Sequence, residues 1–115
     1  MNEETHSKDT SIEAQVLGYM LDYDFYGRVK NIITRDMFEG RYATVFDSIT
    51  YGHKKYAVTL HPRQLAAVVA DRNPATPLSA MEELYGIVNN LSTHMSEAGD
   101  LEMDVVKNFW VRDRA

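Results

Sequence analysis

Apolar side chains recur three and four positions apart along most of this chain, with short polar stretches between the runs. Ile12, Val16, Leu17, Met20 and Leu21 share one helical face, which predicts a helix over about 11–21. Thr10 and Glu13 sit at capping-box spacing at its start. Gly18 interrupts the run, at a cost in helix propensity that a close backbone neighbour would explain. Asp22 or Asp24 can cap a second helix with Phe25, Val29, Ile32 and Ile33 as its apolar face. Thr34 opens a brief turn holding Met37 and Phe38, and Gly40 punctuates it. Tyr42, Val45, Phe46 and Ile49 mark a third helix, with Gly52 as its expected stop.

His53 to Val58 reads as a polar and aromatic connection. Thr59, or His61 ahead of Pro62, can start the next helix, whose stripe is Leu65, Val68 and Val69. Asn73, Pro74 and Pro77 predict a loop. Ser79 and Glu82 repeat the capping-box spacing before Met81, Leu84, Tyr85, Val88 and Leu91. A polar segment ends near Gly99, and Asp100 can cap a last helix with Leu101, Val105, Val106, Phe109 and Trp110. The closing VRDRA carries no stop signal, which suggests a longer helix cut short. No alternating strand pattern is evident. The pattern predicts an all-α fold, a compact orthogonal bundle of about six helices.

Length and charge narrow the picture. A chain of 115 residues suits one domain with its own core, over 11–115, behind a polar tail at 1–10. No apolar run is long enough to span a bilayer, and the first ten residues contain no signal-peptide core. Cysteine is absent, which removes disulfides and thiol chemistry and fits a cytoplasmic protein. Seventeen acidic against twelve basic side chains give a net charge of −5, an argument against DNA binding by the isolated domain.

Candidate chemistry is sparse. There is no phosphate-binding G-x-x-x-x-G-K-S/T loop, no G-x-G-x-x-G and no G-x-S-x-G. His6, His53, His61 and His94 are widely separated and lack metal-ligand spacing. Glu82 and Glu83 are adjacent and do not share a helix face. No catalytic, cofactor or metal residue is therefore assigned. Lys54 and Lys55 flank Tyr51 and Tyr56, a pairing that can contact phosphates and stack bases; a solvated loop beside a core aromatic is the favoured reading. Neighbours Phe109 and Trp110 cannot both enter one helix seam, so one joins the core while the other faces a partner or a continuation of the chain.

The run from Ser11 to Ile49 resembles the N-terminal domain of the DnaB-like bacterial replicative helicases. Glu13, Ala14, Gln15, Val16, Leu17 and Gly18 carry the first part of the likeness; Ile33, Thr34, Asp36, Met37 and Phe38 carry the second; Val45, Phe46 and Ile49 continue it. The likeness is clear over about 11–69 and thins from Pro74 to Asn90, where this chain has LSAMEELYG. It rests on packing residues, so it specifies fold better than activity. It implies a noncatalytic helical head, with the last helix as the start of a truncated C-terminal hairpin. It implies a role in hexamer organisation, with other helicase N-terminal domains, the primase C-terminal domain and a helicase loader as partners. ATP and Mg would belong to a separate C-terminal ATPase domain. By the same resemblance, Phe109, Trp110 and Arg112 lie on the partner side. Val16, Leu17, Phe38, Val45, Phe46 and Ile49 hold the head together. The alternative is a stand-alone homologue that regulates helicase or primase by competing for an interaction surface.

Overall fold

The computed structural model describes the backbone of residues 10–94 and 100–114 and the side chains of residues 12–94 and 101–111. Six α-helices occupy these segments: α1 (Thr10–Met20), α2 (Tyr23–Val29), α3 (Arg41–Tyr56), α4 (Pro62–Arg72), α5 (Leu78–Leu91) and α6 (Asp100–Arg114). A short 3-10 turn, Arg35–Met37, leads into α3. There is no strand among the described residues, and no helix is long and apolar enough to cross a membrane. The expectations for the 1–9 part of the tail, for Gly99, and for the side chains of Thr10, Asp100 and Arg112 lie outside the described residues.

Helix α3 is the hub. It packs against α1, α4, α5 and the 3-10 turn, while α6 closes on α1. Val16, Leu17, Val45 and Ile49 are completely buried there, and Phe38 and Phe46 nearly so. The two rings stack at 5.1 Å, and Phe109 of α6 meets Phe38 at 5.3 Å. Three aromatic rings from distant parts of the chain thus form one contact chain through the core.

The local signals explain most boundaries. Asp22 caps α2, its carboxylate accepting from the Phe25 N–H at 2.8 Å. Pro62 opens α4, where its missing N–H costs nothing, and the His61 N–H donates to Gln64 Oε1 at 2.9 Å. Thr34 precedes the 3-10 turn without capping it by its side chain; its hydroxyl donates to Asp36 instead. Glu13, placed by its spacing to cap with Thr10, makes a long-range contact as well. Its buried carboxylate accepts from the Glu39 N–H at 2.9 Å, tying α1 to the entry of α3.

Three expectations need correction. Gly52 does not stop α3, which continues to Tyr56, so His53 to Tyr56 is helix and not connection. Gly52 is there for space: a Cβ would meet the Leu60 side chain at 2.9 Å. The helix ends instead at Ala57, which takes the left-handed conformation (φ 55°) without being a glycine. Ser79 and Glu82 do not form a capping box, because the cap position lies two residues earlier, at Pro77. Both side chains are exposed on the helix. Tyr85 and Leu101, expected in apolar stripes, are also exposed.

At Gly18 a Cβ would come within 2.6 Å of His94 Cβ and 3.2 Å of the Leu91 carbonyl oxygen. The glycine is the contact point between α1 and the end of α5. Gly18→Ala is expected to force the two apart and cost about 1–3 kcal/mol despite its better helix propensity. Urea unfolding checks this; a stability equal to or above the wild type would contradict the close approach.

Candidate functional site

The surface shows two features worth building from: the outer side of α6, and a groove between α3 and α4. On α6, Val106 and Phe109 point into the core and Trp110 packs partly buried against it. Phe109, 1% exposed, is a core residue in this arrangement and offers no surface to a partner. Of the partner side drawn from the sequence, the accessible part of Trp110 is left, with the Arg112 side chain outside the described residues; Leu101 and Val111 of the same helix are exposed.

The groove is lined by Tyr51 and Tyr56 of α3, Val58 and Leu60 of the connection, and Gln64, Ala67, Val68 and Asp71 of α4; its volume is about 700 Å³. The α4 residues lie at helical spacing and form one stripe. Leu60 is at the bottom because its amide is tied to the Leu21 carbonyl at 3.0 Å. Tyr56 and Val58 stand at the rim, 51% and 47% exposed.

Two cations rest against the tyrosines that line this groove. Lys55 Nζ donates to the Tyr51 hydroxyl at 3.3 Å and lies 5.6 Å and 5.4 Å from the Tyr51 and Tyr56 ring centroids. Arg72 places its guanidinium carbon 4.9 Å from the Tyr51 centroid. These are cation–π distances. The Tyr51 hydrogen bond, with the pull of Tyr51 and Tyr56, holds the Lys55 ammonium pKa above its usual value. Two other cations are engaged elsewhere: Arg35 pairs with Asp47 at 2.7 Å, and Arg41 with Glu83 at 3.0 Å. Lys54 does not join Lys55; it borders a separate depression with Tyr26 and Lys30.

The expected connection at His53 to Val58 concealed this geometry. Once α3 continues past Gly52, Tyr51 and Lys55 become i, i+4 neighbours on one face. The usable signal was that spacing, together with the absence of any helix breaker between Gly52 and Tyr56.

The buried histidine is structural in its placement. His53 is 1% exposed, with Nε2 2.6 Å from the Met20 carbonyl oxygen and Nδ1 3.1 Å from that of Val58. Met20 ends α1, so its carbonyl is one of those a helix leaves without an internal partner. The neutral ring carries one N–H, and the shorter contact assigns it to Nε2, donating to Met20. Tyr26 and Tyr23 cover the ring at centroid distances of 4.5 Å and 5.4 Å. Burial pulls the His53 pKa below its ordinary value, against the opposing influence of the Met20 and Val58 carbonyls and Asp22. Among the described residues no group of three or more His, Cys, Asp or Glu side chains could hold a metal ion.

Comparison with models of protein families, with curated proteins and with solved structures finds no match to this chain.

Proposed function

We propose that this chain is a noncatalytic docking head of the DnaB-like replicative-helicase type. The observation that supports the reading is where the family-like residues fall. Val16 and Leu17 from α1, Phe38 just after the 3-10 turn, and Val45, Phe46 and Ile49 from α3 belong to one contiguous core. Residues that read as a family packing signature in sequence thus pack on each other in space. Such a head organises the ring through contacts with neighbouring heads and offers surface to primase or a loader. Its last helix, α6, is the start of the longer hairpin that carries much of that contact. The ATP-driven step belongs to another domain, and ATP and Mg with it.

Native mass measurement of the source organism's replicative helicase, assembled with and without this domain, tests the reading. A hexamer that depends on the domain, or a primase or loader complex lost on its deletion, is the expected result. Identical rings and identical partner binding in both forms would overturn it.

A further inference from the structure

We propose that the groove between α3 and α4 docks an acidic amphipathic helix of a partner protein. Three observations lead there. The first is shape. Gln64, Ala67, Val68 and Asp71 span eight residues of α4, about 10 Å at the helical rise, which matches two turns of a docked helix. Apolar anchors three and four apart on that helix fit over Leu60, Ala67 and Val68, as in helix-in-groove recognition generally.

The second is charge. The protein is acidic overall, at −5, and Asp71 is the one charged residue lining the groove, yet Lys55 and Arg72 sit on the rings of the lining tyrosines Tyr51 and Tyr56. Among the described residues neither cation forms an ion pair; both rest on tyrosine faces. A cation held on an aromatic ring is positioned while its charge is left unneutralised. Acidic side chains flanking the apolar anchors of the partner would complete these two ions. The positive rim would also steer such a partner and discourage basic ones.

The third separates protein from nucleic acid. Single-strand binding of the stacking kind needs free aromatic faces. The Tyr51 ring already carries Arg72 at 4.9 Å and Lys55 at 5.6 Å, so a base would have to displace a cation that should be contacting its phosphates. An acidic helix leaves both contacts in place. The proposal does not depend on the helicase reading, because the groove is complete within this chain.

Selection of random twelve-residue peptides displayed on phage tests it directly. Binders are selected on the wild-type protein and counter-selected on the Lys55→Glu/Arg72→Glu double variant. The expected winners combine Leu, Ile or Phe at helical spacing with Asp or Glu. The strongest is then synthesised with a fluorescent label and titrated by polarisation. Affinity should fall at least tenfold in the double variant, and as much in Ala67→Arg, which fills the exposed groove floor without entering the core. Amide spectra of both variants verify that the fold is kept, and Lys55→Ala/Arg72→Ala serves should charge reversal disturb it. Failure to enrich any sequence, enrichment of basic or uncharged sequences, or unchanged affinity in the variants overturns the proposal. So does tighter binding of a twenty-nucleotide oligo(dT) than of any selected peptide.

Discussion

Phe38→Ala is expected to remove about 3–5 kcal/mol of stability, the usual loss for a large aromatic cut back in a packed core. Phe38 touches both other rings of the aromatic chain, Phe46 at 5.1 Å and Phe109 at 5.3 Å. Truncation therefore removes the ring's own burial and two ring–ring contacts together. The site cannot collapse easily, since its walls belong to the 3-10 turn, α3 and α6. For a small domain whose total stability is on the order of 5–15 kcal/mol, that loss takes a large share. Equilibrium urea unfolding followed by far-ultraviolet circular dichroism measures it. Phe38→Leu, which refills most of the space, should recover much of the difference. A loss below 1 kcal/mol for the alanine variant would mean that α6 does not close on the core as described.

His53→Phe should cost about 2–4 kcal/mol at neutral pH, by combining a lost buried hydrogen bond with imperfect repacking. The Met20 carbonyl loses its donor at a helix end where none is available within the helix. The same variant should also change the pH dependence, and its sign follows from the buried site. Burial lowers the folded-state pKa of His53 below the ordinary 6.5. The unfolded chain then takes up the proton more readily. Stability from this residue is full above the unfolded pKa and is lost as pH falls below about 6.5 toward the folded value. One proton gives a slope of at most about 1.4 kcal/mol per pH unit. Unfolding free energies at pH 7.5 and 5.5 should differ more for the wild type than for His53→Phe. Comparing the two removes the shared contributions of other carboxylates and histidines. An equal drop in both proteins would show that His53 does not titrate against folding.

Helical periodicity made the architecture readable because the chain buries one stripe per helix. Leu65, Val68 and Val69 are inside, as are Leu84, Val88 and Leu91. Where the sequence misled, tertiary contacts outweighed a local signal. Gly52 looks like a stop, but the room it leaves is filled by Leu60 from the following connection. Glu13 holds a backbone amide 26 residues away, a partner that its spacing does not announce. Ala57 carries a backbone conformation that favours glycine, so nothing in its identity announces the end of α3. The groove is legible in fragments, since Tyr51, Tyr56 and Lys55 stand out together in the sequence. Their assembly depends on how α4 lies along α3, which no spacing within a single segment encodes. Phe109 and Trp110 are posed by the sequence as a choice of facing, because adjacent helical positions diverge by about 100°. Burial of Phe109 resolves which of them enters the core.

The connection after α3 has one more consequence, for anyone who would cut or lengthen this chain. Between Ala57 and His61 it looks like a dispensable surface link, the customary place for an insertion tag, a protease site or new termini. Yet Val58 meets His53, the Thr59 hydroxyl accepts from the Tyr23 amide at 3.0 Å, and Leu60 donates to Leu21. Splitting the chain there would detach the seam that fastens the end of α1 to the rest of the bundle. The 73–77 link, with its local Thr76 to Asn73 hydrogen bond at 3.2 Å, is the better joint at which to open the molecule.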